Sequence, residues 1–147
     1  MKLQVSALTL NYLELKDQLV ASNFVGTQTA AKNLLKGVEG LNLKSVSGSK
    51  REVLENSLLQ LLNSLTVFDA ATDIKKQRAL FKTISEQYAA FIKESGMSEM
   101  KLYQQYCPMA LNNVGAYWFS KDSLIRNPYF GDEMLECGEV SATYEFK

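Results

Sequence analysis

An apolar seam between Val53 and Phe68 constrains the fold of this chain more than any other feature. Apolar residues recur there every three or four positions over about four turns, which is the spacing of one face of an α-helix. Such a face is stable in water only when it packs against other helices. The seam therefore predicts a helical core. Its members are Val53, Leu54, Leu58, Leu61, Leu62, Leu65 and Phe68.

Three further stretches show the same spacing and predict amphipathic helices from about 9 to 21, from 24 toward 40, and from 74 to 92. Short links between four such helices indicate an antiparallel four-helix bundle over about residues 8–96. Helix-capping residues lie at the expected boundaries. They are Ser22 or Asn23 before the second helix, a capping box from Ser49 to Glu52 before the third, Thr72 or Asp73 before the fourth, and Gly96 after it.

The sequence pattern changes after Gly96. Residues 97–103 show only weak helical order, and Gly, Pro, Asn and Asp then recur every few residues, which indicates turns. Residues 116–119 and 140–146 have the composition or alternation of short strands, and we expect them to pair as a β-ribbon. The predicted fold is mainly α. It is a single domain over residues 1–147, with a four-helix bundle followed by an irregular C-terminal segment from about 97 to 147.

Composition excludes several function classes. The chain of 147 residues has 16 basic and 16 acidic side chains, so no general positive field attracts nucleic acid or an anionic membrane. It has no histidine, which removes the Ser-His-Asp and Cys-His catalytic arrangements and histidine-containing metal sites. No carboxylate pair stands out either. We therefore expect a protein that is not an enzyme.

The sequence also lacks the signals of membrane insertion or export. No apolar run reaches the ~18–20 residues of a membrane-spanning helix. The N-terminus has no long apolar block and no small-residue cleavage site, so no signal peptide is expected in this chain.

Four soft sulfur donors form the most specific chemical pattern. Cys107 is followed two residues later by Met109, and Cys137 is preceded three residues earlier by Met134. Thiolates and thioethers select Cu(I), and one helical turn would place Met134 and Cys137 on the same face. Pro108 stiffens the link between the first two donors. We therefore expect a metal site of these four residues. Zinc is less suitable, because its structural sites rarely use thioethers.

The two cysteines also allow two alternatives to a metal site. In an oxidising compartment Cys107 and Cys137 would form a disulfide that closes a loop of about 30 residues, and the two methionines would then fill gaps in the core. In the second alternative, both cysteines are buried free thiols. Trp118 and nearby tyrosines would shield a metal site, although packing accounts for them more simply. Asn127, Pro128 and Gly131 are interpreted as turn formers.

Several motifs resemble a bacterial family, the domain of unknown function 3347, which is found in exported proteins and attached to components of copper and heavy-metal efflux systems. The motifs are Tyr12 to Asp17, Gln77 to Phe81, Leu102 to Ala110, Gly115 to Ser120 and Ile125 to Gly138. The resemblance implies a helical bundle in the periplasm or cell envelope and a role in copper or heavy-metal handling, with an efflux component as partner.

Two functional hypotheses follow. In the first, the chain binds copper(I) through Cys107, Met109, Met134 and Cys137, for buffering or for delivery to an efflux system. In the second, the chain is a non-catalytic protein-interaction module that is stabilised by a Cys107–Cys137 disulfide and binds no metal.

Overall fold

Four long helices form an antiparallel bundle, and a small three-stranded sheet follows it. The computed structural model describes all residues, 1–147. The helices are α1 (Lys2–Val20), α2 (Phe24–Glu39), α3 (Gly48–Asp69), α4 (Ile74–Ser95) and the single turn α5 (Ala110–Asn113). The strands are β1 (Met100–Cys107), β2 (Ala116–Ser120) and β3 (Glu139–Phe146), and a 3₁₀ turn covers Gly131–Glu133. The predicted mainly α fold is confirmed.

The apolar stripes of the helices form the core of the bundle. On α3 the seam is buried at five positions, whereas Val53 at its start is 46% exposed. On α1 the stripe begins at Val5, so the helix starts at Lys2 and not near residue 9 as predicted. Val5 and Leu8 continue the spacing of the later residues of α1, which explains the longer helix. The buried seam residues of α3 are Leu54, Leu58, Leu61, Leu65 and Phe68.

Helix caps formed at two predicted sites and failed at a third. The Asn23 side chain accepts a hydrogen bond from the Gly26 amide (2.9 Å), and Asp73 accepts one from the Lys76 amide (2.8 Å). The predicted capping box from Ser49 to Glu52 is wrong, because α3 already begins at Gly48. Ser49 therefore lies inside the first turn of α3 and cannot be the N-cap residue that precedes the helix.

The sheet corrects the prediction for the C-terminal segment. Its strand order is β2-β1-β3, with both pairs antiparallel. β2 and β3 therefore do not pair directly as a ribbon, because β1 lies between them. The weak helical order predicted for residues 97–103 is also wrong, since β1 begins at Met100.

Both faces of β2 are covered. Trp118 and Phe119 are neighbours in a strand and therefore point to opposite faces, yet both are fully buried. Phe119 packs edge-on against Tyr12 of α1 (ring centroids 6.1 Å apart), and Trp118 packs against Tyr129 (5.9 Å). The helices cover one face, and the segment of residues 121–138, called the covering loop below, covers the other. None of the helices combines the length and the apolar character needed to cross a membrane.

Candidate soft-metal site

The two cysteines meet where the covering loop returns to the sheet. Cys107 is the last residue of β1, and Cys137 lies two residues before the start of β3. Because β3 pairs antiparallel with β1, the return of the chain into β3 brings Cys137 beside the end of β1. The two Sγ atoms are 2.6 Å apart. Cys107 is buried and Cys137 is half-buried, so the pair reaches the surface through Cys137.

Asn127 fixes the backbone that carries Cys137. Its side chain is fully buried, its Nδ2 donates to the Cys137 carbonyl (2.8 Å), and its Oδ1 accepts from the Tyr129 amide (2.7 Å). Its own amide donates to the Leu135 carbonyl (2.7 Å). The sequence predicted only a turn at Asn127. The Asn-Pro pair signals a turn, but it does not indicate a hydrogen bond to a residue ten positions later.

Gly138 lets the chain pass close to the aromatic layer. Its φ is +138°, and a Cβ at this position would lie 3.0 Å from both Trp118 Cη2 and the Tyr106 carbonyl oxygen. Only glycine adopts this backbone conformation readily and leaves room for both neighbours. The close approach holds Cys137 at the end of β1.

The two methionines lie at the surface near the pair. Met109 is 46% exposed and Met134 is 37% exposed, so neither fills a gap in the core. The Met109 amide lies against the Cys137 thiol, and the Met134 carbonyl accepts from the Cys137 amide (3.2 Å). Met134 has φ −151° and ψ 62°, which is not helical, so the predicted helical turn from Met134 to Cys137 is replaced by a non-helical one.

Ionisation of Cys137 is unfavourable. Burial, the hydrogen bond to Cys107 and the charge of its thiolate raise the pKa of Cys137 to about 11, while the Met109 amide acts in the opposite direction. Cys137 is therefore mostly a thiol at neutral pH. A thiol is a weak nucleophile. A soft metal ion binds the thiolate and displaces the proton, so metal affinity should rise with pH.

The donor set fits a thiophilic ion better than a hard one. No group of three or more Cys, Asp or Glu side chains is close enough to hold a metal ion. The convergent donors are the two cysteine sulfurs, with two exposed thioethers nearby in the chain. Soft ligands of this kind suit Cu(I), whereas Mg²⁺ and Ca²⁺ require oxygen ligands.

Arg78 of α4 holds the covering loop on the bundle. Its Nε donates to the Pro128 carbonyl (2.8 Å), and its Nη2 donates to the Leu19 carbonyl and to Ser22 Oγ (both 2.9 Å). The Leu19 carbonyl belongs to the last turn of α1, where carbonyls lack the usual helical partner four residues on. One side chain thus joins α1, α4 and the covering loop.

The sequence of the bundle decides the family. Residues 8–100 match the family described as "Protein of unknown function (DUF3347)". The chain belongs to this family. The matched residues of this DUF3347 chain include all four bundle helices except the first turns of α1. The match ends at Met100, the first residue of β1. The cysteines therefore lie outside the matched residues.

No curated protein and no solved structure matches the chain.

Proposed function

We propose that this DUF3347 chain binds one soft metal ion, Cu(I), through Cys107 and Cys137, with Met109 and Met134 as additional thioether donors. The observation that carries the proposal is the convergence of the two cysteine sulfurs, 2.6 Å apart, beside two exposed methionines. Metal–sulfur bonds of about 2.3 Å require the two sulfurs to move apart to roughly 3.8 Å when an ion binds. Methionine is usually buried as a core residue, so its exposure at both positions near the thiols favours a role in ligand binding.

The position of the pair suits exchange of the ion. Cys107 is anchored in the sheet, whereas Cys137 and both methionines are accessible to solvent. An ion held at this edge can be reached by a second ligand without unfolding of the bundle. The proposed role is therefore buffering of copper or its delivery to an efflux component in the bacterial envelope, without catalysis.

Competition with a chelator tests the proposal. Cu(I) is added without oxygen to reduced protein together with a colorimetric chelator, and the transfer of metal is followed by absorbance. We expect one equivalent to bind to the protein. Cys107→Ser and Cys137→Ser should each abolish competition, because each removes one of two thiolates.

Thioether variants define the rest of the site. Met109→Leu and Met134→Leu should weaken binding while retaining one-to-one stoichiometry. Met100→Leu is the matched control, because Met100 lies at the opposite end of β1, about 20 Å from Cys107. If the wild-type protein fails to compete with the chelator, or if the serine variants compete equally well, the proposal is wrong.

A second candidate is the interaction module with a Cys107–Cys137 disulfide. It is favoured by the contact of the two sulfurs, which lie closer together than a van der Waals contact between separate atoms. Counting thiols in protein isolated without reductant and then unfolded in urea, so that the buried Cys107 can react, distinguishes the two. Two thiols exclude the disulfide, and none supports it.

A further inference from the structure

The largest cleft of the protein lies away from the cysteines, between the first turns of α4 and the covering loop. Its volume is about 460 Å³, which is within the range of small-molecule sites. Most of its wall is apolar. The apolar side chains are those of Ile74, Ala79, Leu111, Tyr129 and Phe130.

A left-handed turn forms one rim of this α4 cleft. Leu111, Asn112 and Asn113 have φ values of 54°, 57° and 66°. Non-glycine residues rarely adopt this conformation, and three in succession are unusual. The turn places Leu111 and Asn112 opposite α4, so the cleft has two facing walls.

Arg78 brings a positive charge without a salt-bridge partner into the cleft. Its Nε and Nη2 are occupied by two carbonyls and a serine hydroxyl, and Nη1 has no hydrogen-bond partner in the protein. No carboxylate lies within ion-pair distance. Burial lowers the pKa of Arg78, and the more distant Glu133 opposes this effect. A half-buried guanidinium without a carboxylate in hydrogen-bond contact favours an anionic ligand.

The remaining charges set the preference of the cleft. Lys75 lines it and is also free of any ion pair, whereas Glu133 lines it with the opposite sign. Two positive charges and one negative charge leave a net positive field. We propose that the α4 cleft binds a small organic carboxylate whose apolar body packs between Leu111 and Phe130 and whose carboxylate faces Arg78 Nη1 and Lys75.

A matched pair of probes tests the charge requirement. 3-Phenylpropionate and its neutral amide have the same shape, and each is titrated into the wild-type protein while backbone amide shifts of Ala79 and Leu111 are followed by NMR. We expect saturable shifts with the acid. The amide should bind at least about fivefold more weakly than the acid, because it lacks one charge interaction at a solvent-exposed site.

Three exposed variants then assign the binding to this cleft. Lys75→Gln should weaken binding of the acid about threefold, and Glu133→Gln should strengthen it about twofold, with little effect on the amide. Lys76→Gln, on the same helix but outside the cleft, should leave both unchanged. The proposal is overturned if the acid gives no saturable shifts, if acid and amide bind equally, or if Lys75→Gln and Glu133→Gln change affinity in the same direction.

Discussion

At the scale of single residues, Tyr12 links the helical core to the sheet. It is fully buried and stacks on Tyr88 (ring centroids 5.0 Å apart). Its hydroxyl pairs with Ser85 Oγ (2.7 Å) and accepts from the Phe119 amide of β2 (3.2 Å). Burial raises the pKa of Tyr12 above its usual range. The neutral hydroxyl is therefore retained in the folded protein, and its stabilising effect is lost only as pH rises above about 10.

Replacing Tyr12 with phenylalanine should destabilise the protein by about 2 kcal/mol, because the buried Phe119 amide would be left without a partner and the Ser85 hydroxyl would lose its 2.7 Å contact. Urea unfolding at neutral pH measures the change. Tyr117→Phe is the control, since Tyr117 is 40% exposed and its hydroxyl makes no hydrogen bond. Equal costs for the two variants would contradict the role given to the Tyr12 hydroxyl.

Residue types alone indicated the cysteine pair, but they did not indicate the residues that hold its surroundings in place. Cys107 and Cys137 are the only cysteines, so their rarity alone marked them. Asn127 and Tyr12 act through hydrogen bonds to segments distant in sequence. The bond from the Phe119 amide to Tyr12 spans 107 positions. Local composition carries no information about such a partner.

At the scale of elements, the residues that precede α3 and α4 allow a direct comparison. Asp73 accepts the Lys76 amide at the start of α4, whereas Ser47 precedes α3 without any side-chain bond. Asp73→Ala should therefore cost about 1 kcal/mol of unfolding free energy, and Ser47→Ala only a few tenths. Thermal unfolding of both variants measures the difference. If Ser47→Ala cost as much as Asp73→Ala, an N-cap bond at α3 would have to form in solution.

The helices could be predicted because the spacing of their apolar residues is a local pattern. Strand β1 has no such pattern and was not predicted. An amphipathic helix repeats its pattern within its own residues. β1 lies in the middle of the sheet, and its register with β3 shifts between Gln104 and Gln105. The irregular pairing disrupts the two-residue alternation, so buried positions follow no simple period along Met100–Cys107. β3 is an edge strand with alternating burial at its end, and its pattern was recognised.

At the scale of the whole molecule, the covering loop is attached at separate points to the bundle and to the sheet. Arg78 holds Pro128 against α1 and α4, Tyr129 donates to the Tyr117 carbonyl (2.6 Å), and Cys137 meets Cys107 at the end of the loop. The sequence predicted a site between two turns. It did not predict that the intervening residues cover Trp118, because that depends on the position of β1 in the sheet.

The redox state of the cysteines should therefore change both the stability of the whole protein and its metal binding. A Cys107–Cys137 disulfide would close a loop of about 30 residues and raise the free energy of unfolding by roughly 3–4 kcal/mol on the chain-entropy account. The same bond would remove both thiolate donors, so oxidised protein should not compete for Cu(I). Urea unfolding with and without reductant measures the first effect, and chelator competition on the same samples measures the second.

The double variant Cys107→Ser/Cys137→Ser is the control for both measurements, because it retains the loop but cannot form the bond. Its stability should not depend on reductant, and it should bind no Cu(I) in either condition. Thiol counting verifies that oxidation of the wild-type protein is complete. If the oxidised protein is then no more stable than the reduced protein, the stabilising role of the bond is contradicted. The loop would then be held by Arg78, Asn127 and Tyr129 alone, and the cysteines would matter only as ligands.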